Sequence, residues 1–462
     1  MKQTGHVRGA VNIFDESRPL WQWLLIFLVP LMLSNILQSA GQLVGSIFVG
    51  RMIGVDALAA ISSFFPVIFL LFSFLIGLSS GSTVLIGQAY GARDMHKLKQ
   101  ITGTTLFMGL VLGIAALVVG LLATDRLLVL LGTPANILAD AVAYSRLILI
   151  FCPVFFVYLI YTTIIRGTGD SQTPFYFLIL TTVIGILVTP MLIRGWLGLP
   201  QLGVLSAAVS FIVSNAVSFV ALLVYLRARK SPLAIDREIL TDLRFDWAIA
   251  KNVIKIGVPT GLQVVMVSLA EIAVISFVNR YGSHATAAYG AVNQVVGYVQ
   301  FPAISMGIAG SIFAAQCIGA RREDKLRSVV HSTVALNYAI GALLIGLTYI
   351  FAWDIVGWFI TDAQTLAIAH GLLMITLWSY LLFGNSAVLS GIMRASGAVL
   401  VPTLNGILAI WAVEVPVAYV LMRKIGLNGI WIGYPVAFVV VLSLQFMYYQ
   451  FVWKKRTHRR LV

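Results

Sequence analysis

Charge is scarce in this chain. Only 10% of its 462 residues are Asp, Glu, Lys or Arg, against 60% hydrophobic, and the mean hydropathy is +0.96. No soluble fold of this length tolerates such a surface, so the chain reads as an integral membrane protein. Cysteine is almost absent. Cys152 and Cys317 each lie inside an apolar segment, far apart and without metal-type spacing, which excludes a disulfide framework and a zinc site and leaves both as buried apolar filler. The six histidines (His6, His96, His284, His331, His370, His458) are scattered mainly over loops and ends. There is no H-E-x-x-H pair, no acidic metal cluster and no G-x-x-x-x-G-K-S/T loop, so neither a membrane enzyme nor an ATP-driven pump is expected, and no cofactor. The net charge of +14 would suit nucleic acid only if the basic residues shared one soluble face; they gather instead in loops between apolar segments, so no nucleic-acid partner is expected.

What is there is a series of long, continuous apolar segments, the pattern of membrane helices rather than of short alternating barrel strands. With about 20 apolar residues needed per crossing, twelve spans are expected: 20–44, 56–84, 100–123, 142–165, 171–193, 202–226, 250–277, 284–312, 328–352, 366–392, 399–421 and 428–452. The first nineteen residues are polar and no small-residue cleavage site follows, so the first apolar segment is expected to stay in the protein. With the N-terminus inside, 24 of the 31 Lys and Arg fall on the cytoplasmic side. Six (Arg51, Arg126, Arg194, Arg280, Arg423 and Lys424) fall outside, and Arg146 lies in the fourth span. The asymmetry predicts a multi-pass protein of the bacterial inner membrane with both termini in the cytoplasm.

The chain also repeats itself. FVGRMIGVDALAA at Phe48 is echoed by FVNRYGSHATAA at Phe277, with Arg51 matching Arg280 at an offset of 229 and Gly54 matching Gly282 at 228. GQAYGARDMHKL and AAQCIGARREDKL share a Gly-Ala-Arg. RGTGDSQTP and RASGAVLVP share Arg166/Arg394, Gly169/Gly397 and Pro174/Pro402, and Pro30 matches Pro259. Two parallel six-helix halves follow, an architecture suited to rocking two bundles about a site. The expected division is a cytoplasmic segment 1–19, an N-terminal lobe 20–227, a linker 228–249, a C-terminal lobe 250–453 and a basic tail 454–462.

Of the 17 acids, fifteen sit in loops, at helix ends or within reach of water, including Asp56, which reads as the cap of the second span. Glu271 and Glu414 do not. Each lies nine residues before an outer basic residue, Arg280 and Arg423, so both are expected at one depth, roughly 13 Å below that marker. A charged side chain at mid-helix costs about 2.5 to 3.5 kcal/mol on insertion scales and needs a partner, a wet cavity or a proton. Such a carboxylate can exchange a proton, a sodium ion and a cationic substrate, which is what an antiporter requires; the alternative is a permanently hydrogen-bonded packing tie. Glu271 aligns with Gln42 in the repeat, and Glu414 with Val188. Amides near the same level (Asn35, Gln38, Gln42, Gln263, Asn293, Asn385) are candidates to line a substrate or cation cavity. Aromatic residues, 11% of the chain, can supply cation–π contacts, while Trp21, Trp23, Trp353, Trp358 and Trp431 read as an interfacial belt.

Taken together, Pro30, the GQAYGA and AAQCIGA segments and the RGTGDSQTP turn with its echo resemble the multidrug and toxic compound extrusion (MATE) family along essentially the whole chain. The resemblance implies an all-α, V-shaped fold of two six-helix bundles, working as a monomer. It also implies export of amphipathic, usually cationic drugs against a proton or sodium gradient. Glu271, twelve residues after Pro259, resembles the seventh-span glutamate with which the NorM-type branch holds its coupling cation, so a Na⁺ site there is a candidate. The chain departs from the family where first-span, fifth-span and tenth-span acids occur in its branches: Gly45, Thr189 and Phe383 stand at those places. Glu414, two residues before Pro416, is the candidate stand-in for the tenth-span acid. Two rivals share the twelve-span pattern. A major-facilitator transporter would carry a G-x-x-x-D-R-x-G-R-R signature that GQAYGARDMHKL lacks, and a lipid-linked sugar flippase would carry more cations deep within its cavity.

Overall fold

A computed structural model describes residues 9–235, 245–458 and 460–462. Expectations placed on Lys2, His6, Arg8, Arg237, Arg244 and Arg459, and on the corresponding parts of the 1–19 segment, the 228–249 linker and the basic tail, lie outside the described residues.

Backbone polar groups in a bilayer must be satisfied within the chain, and among the described residues every regular element is helical. Among the described residues, twelve helices are long and apolar enough to cross a membrane: Leu20–Met52, Val55–Gly91, Met95–Leu130, Ala135–Gly167, Gln172–Arg194, Leu205–Ala228, Trp247–Tyr281, Ser283–Ala320, Glu323–Ile350, Ala363–Arg394, Leu400–Ile425 and Leu427–Lys455. Eight contain one expected span whole, and in the other four the expected span reaches one to three residues beyond the helix. Most run longer than the apolar segments because hydropathy marks only the stretch suited to hydrocarbon, while the hydrogen-bonded helix continues into the polar boundary. The eighth span has 38 residues, roughly 57 Å at 1.5 Å per residue, against about 30 Å of hydrocarbon.

The second span corrects one expectation. Its cap is Gly54, at φ 132°, and Asp56 makes no capping bond. The acid sits one position inside the first turn, where its charge still complements the helix dipole. The span is broken after Ser63, and Pro66 opens the second piece, where its missing N–H costs nothing.

The described chain divides into two compact units. Of the described residues, one holds residues 9–11, Leu33–Gly257 and Val462, the other Asn12–Met32 and Val258–Leu461. The chain changes unit just after Pro30 and just before Pro259, the two prolines that the repeat pairs. In the first unit, close approach of small residues holds the start of the seventh span. A Cβ added to Gly81 would lie 2.4 Å from the Val253 carbonyl oxygen, and one on Gly257 would lie 2.7 Å from that of Gly77. In the second unit, Phe27 packs edge-on against Phe313 at 5.0 Å and draws in the start of the first span.

Each terminal segment closes on the equivalent turn of the repeat. Val11 N–H donates to the Gly169 carbonyl at 3.0 Å, and the Leu461 side chain lies 3.2 Å from where a Cβ of Gly397 would be. Both glycines have positive φ, 93° and 83°. Asp170, in the first of these turns, differs from the open loop acid expected of it. It is 1% exposed, accepts from Thr173 N–H and Oγ1 at 2.9 and 2.6 Å, and burial pushes its carboxyl up.

Candidate functional site

The seventh and eleventh spans lie side by side in the second unit, and four contacts fix their register. The Gln263 amide occupies the space that a Cβ on Gly406 would need, Trp411 Nε1 donates to the Met266 carbonyl at 3.1 Å, the rings of Phe277 and Tyr419 lie 5.7 Å apart, and Tyr281 donates its hydroxyl proton to the Met422 carbonyl at 3.2 Å. Residue numbers rise together along both helices. Glu271 lies between Met266 and Phe277, and Glu414 between Trp411 and Tyr419, so the register brings the two acids to one level. Glu271 acts electrostatically on Glu414 accordingly.

The two carboxylates differ in access. On the seventh span Ala270, Val274 and Val278 form the buried face, and Glu271, one position round from Ala270, is exposed. Glu414 is only 5% exposed. Among the described residues, neither forms an ion pair. Glu414 ends a π-helical turn, Ala409–Glu414, with Pro416 opening the helix that follows. Proline has no N–H for the ladder and its ring presses on the carbonyl four residues back, so the wide turn absorbs the misfit. Glu414 is buried at the end of this turn, with its main-chain carbonyl 3.0 Å from the position of a Cβ on Gly433. Pro416→Ala is expected to let the turn tighten and reduce coupled transport several-fold at unchanged folded yield; wild-type transport would show that the turn does not set the acid.

Three further spans of the same unit close around the pair. Tyr289 of the eighth span and Tyr434 of the twelfth share a hydroxyl-to-hydroxyl hydrogen bond of 2.9 Å. Tyr289 stacks flat on Trp431, 5.7 Å between centroids at 8°, and bonds Asn293. Trp431 therefore does not belong to the interfacial belt: it is 0% exposed and forms a wall of the site. Trp21, Trp353 and Trp358 are exposed, as a belt requires. Tyr380 of the tenth span bonds Gln300, and both carboxylates act electrostatically on Tyr289 and Tyr380. Phe383, where an acid had been looked for, packs on Tyr380 and Phe438 at 6.2 and 5.3 Å and is part of an apolar wall.

The candidate amides fall in different places. Gln263 and Asn293 belong to the second unit beside this cluster, and Asn293 is exposed. Asn385 is 2% exposed; its Nδ2 donates to the Leu381 carbonyl of its own helix at 2.9 Å, while its Oδ1 is buried without a hydrogen-bond partner among the described residues. Asn35, Gln38 and Gln42 belong to the first unit; Gln38 and Gln42 are exposed and Asn35 is half-buried. In that unit Thr189 bonds Ser210 and the Gly185 carbonyl, both at 2.7 Å, and nothing lies within 4 Å of a Cβ built on Gly45. A hydroxyl thus stands at Thr189, and no side chain at Gly45, where the first half could have carried a titratable acid. No group of three or more His, Cys, Asp or Glu suited to a metal occurs among the described residues.

The MatE family model matches residues 30–191 and 259–420, once in each half of the repeat. A curated relative, the "Probable multidrug resistance protein YoeA" of Bacillus subtilis (strain 168), is 53% identical over 97% of both chains. Two solved structures share the fold. A mutant of the Vibrio cholerae MATE transporter VcmN superposes with a TM-score of 0.87 at 20% identity over 95% of this chain and 98% of that one. An outward-facing multidrug resistance MATE family transporter gives 0.84 at 22% over 92% and 94%.

Proposed function

The chain belongs to the MATE transporter family, and from that premise we propose that it is a secondary active antiporter. It exports amphipathic organic cations from a bacterial cell in exchange for H⁺ or Na⁺, as a monomer with both termini in the cytoplasm. The relative's designation as a multidrug resistance protein supports drug-like cargo. The observation that carries the reading is the meeting of Glu271 and Glu414 on adjacent spans at one level, one exposed and one buried, with no basic partner among the described residues.

Two like charges facing one another on adjacent helices repel, and more strongly in a low-dielectric interior than in water. A pair of this kind favours holding one cation and resists losing it unless another replaces it. Alternate occupancy by the coupling ion and by cationic cargo is the exchange that an antiporter performs. The exposed carboxylate receives the ion and the buried one retains it. The aromatic wall of Trp431, Tyr289 and Phe438 adds faces that attract an amphipathic cation.

The test is uptake of a fluorescent organic cation into proteoliposomes under an imposed pH gradient and then a sodium gradient. The wild type is compared with the Glu271→Gln/Glu414→Gln double variant. Uptake driven by one of the gradients and lost in the double variant is expected. Undiminished driven uptake in the double variant would remove the assignment, and no cation uptake at all by the wild type would favour a lipid-linked flippase.

A further inference from the structure

Cations are scarce on one side of this chain. The sequence places six of the 31 Lys and Arg there, and three of the six, Arg280, Arg423 and Lys424, stand at the ends of the seventh and eleventh spans. The fold brings those two ends together. The Tyr281 hydroxyl donates to the Met422 carbonyl at 3.2 Å, the Phe277 and Tyr419 rings lie 5.7 Å apart, and both helices stop on a glycine of positive φ, Gly282 at 88° and Gly426 at 74°. Neither end can drift from the other without losing a hydrogen bond and a ring contact.

Each guanidinium is set over a ring. Cζ of Arg423 lies 4.5 Å from the centre of Tyr419, whose hydroxyl accepts from its Nη2, and Cζ of Arg280 lies 6.0 Å from the centre of Phe277. A guanidinium held over an aromatic face keeps N–H groups to spare, and their fork matches the paired oxygens of a phosphate. No acid takes them. All three cations are exposed, none forms an ion pair among the described residues, and Arg280 and Lys424 make no side-chain hydrogen bond there. The acids of the second unit on that side are Asp354 and Asp362, and Asp362 is held by His284 and Thr365. A cation in the last turn also complements the helix dipole. That explains one at each end, and leaves unexplained why half of a scarce set converges on a single pair of ends.

We propose that the joined ends of the seventh and eleventh spans bind the phosphate of an anionic phospholipid, with Arg280, Arg423 and Lys424 as the binding groups. The end of a span lies where hydrocarbon gives way to headgroups, so a lipid phosphate is the anion found at the level of these side chains. Ile272 on the seventh span and Val420 and Ile425 on the eleventh are exposed apolar side chains of the same two helices, a surface along which acyl chains can lie. Free phosphate offers the same oxygens without the chains, and the test separates the two sources. Binding makes no use of the acid pair, so the inference stands apart from the antiport reading.

The experiment compares the protein in nanodiscs of phosphatidylcholine alone with discs that also hold phosphatidylglycerol, reading the unfolding temperature and, by native mass spectrometry, the lipid retained. Phosphatidylglycerol is expected to raise the unfolding temperature of the wild type and to stay bound to it. In the Arg280→Gln/Arg423→Gln/Lys424→Gln triple the affinity for that lipid is expected to fall by about a hundredfold, roughly fivefold for each cation removed. A second triple, Arg51→Gln/Arg126→Gln/Arg194→Gln, removes the same charge from the same side and is expected to respond as the wild type does. Arg280→Lys/Arg423→Lys keeps the charge without the planar fork, and is expected to retain an intermediate amount. That arm keeps the proposal open to refutation if the first triple does not fold, since wild-type retention by the Lys variant would overturn the role of the two guanidinium groups. A wild type indifferent to phosphatidylglycerol, or equal losses in the two triples, would overturn the site. The same rise produced by inorganic phosphate in phosphatidylcholine discs would overturn its assignment to lipid.

Discussion

Glu271→Gln alone is expected to abolish gradient-driven export, reducing uptake into inverted vesicles by about a hundredfold, while Glu414→Gln leaves a measurable remnant. The inequality follows from the surroundings of the two carboxylates. On the proposed reading Glu271, the more exposed member, is the one an arriving ion meets; with an amide in its place the site loses its entrance charge and Glu414 is left sequestered at 5% exposure. Removing Glu414 keeps the entrance and removes the field of the neighbouring carboxylate. The remaining carboxylate still binds an ion but holds it less firmly. Driven transport is therefore expected to persist with a weakened dependence on the coupling ion, by roughly ten- to a hundredfold in half-saturation.

The same substitutions should separate function from stability. A buried acid without a basic partner costs free energy in the folded protein, and the neutral isostere relieves it. Glu414→Gln is expected to raise the unfolding temperature in detergent, and Glu271→Gln, at the exposed position, to leave it nearly unchanged. A falling unfolding temperature in Glu414→Gln would identify that carboxylate as a packing tie and not a coupling group. Equal loss of transport in the two single variants would remove the division into receiver and holder.

Periodicity and repeat were legible because they are written locally. Twenty apolar residues in a row, Arg51 against Arg280 and Pro30 against Pro259 need no tertiary knowledge, and each expected span overlaps one observed helix. Glu271 and Glu414 stood out for the same reason, as charges in apolar runs. Their partners did not stand out. Tyr289 and Tyr434 are ordinary aromatic residues in apolar helices, and nothing local distinguishes a ring that meets a hydroxyl on another span from one that faces lipid. Trp431 was misread as interfacial because it lies near a span end in sequence, yet the end of the twelfth span packs inside its unit and covers it completely. Pro416 was the visible trace of the π turn, but a proline announces only that the ladder is disturbed and not which way Glu414 is turned. Asp56 illustrates a smaller failure. With Gly54 two residues earlier, the positive φ of the glycine took the cap position that an acidic side chain could have filled.

The frame that holds the acid site in register rests on a glycine contact between the eighth and tenth spans, and Gly391→Leu is expected to prevent a folded protein from forming. A Cβ at residue 391 would lie 2.3 Å from the Gly307 carbonyl oxygen, a backbone atom in the most buried of the spans. Backbone cannot step aside as a flexible side chain can, so the two helices must separate. They carry Tyr289 and Tyr380, whose rings close the site, so even a partial separation opens it. Overpacking a close contact costs about 1 to 3 kcal/mol for one or two added carbons and more for a branched side chain. Gly391→Ala should accordingly yield folded protein with a lowered unfolding temperature, and Gly391→Leu should give none that is monodisperse. The control lies on the eighth span itself: nothing is within 4 Å of a Cβ built on Gly297, so Gly297→Ala should unfold at the wild-type temperature or slightly above it, since alanine also favours the helix. Size-exclusion profiles and thermal unfolding in detergent decide the matter, and a monodisperse Gly391→Leu protein with wild-type stability would mean that the spans do not cross at this glycine.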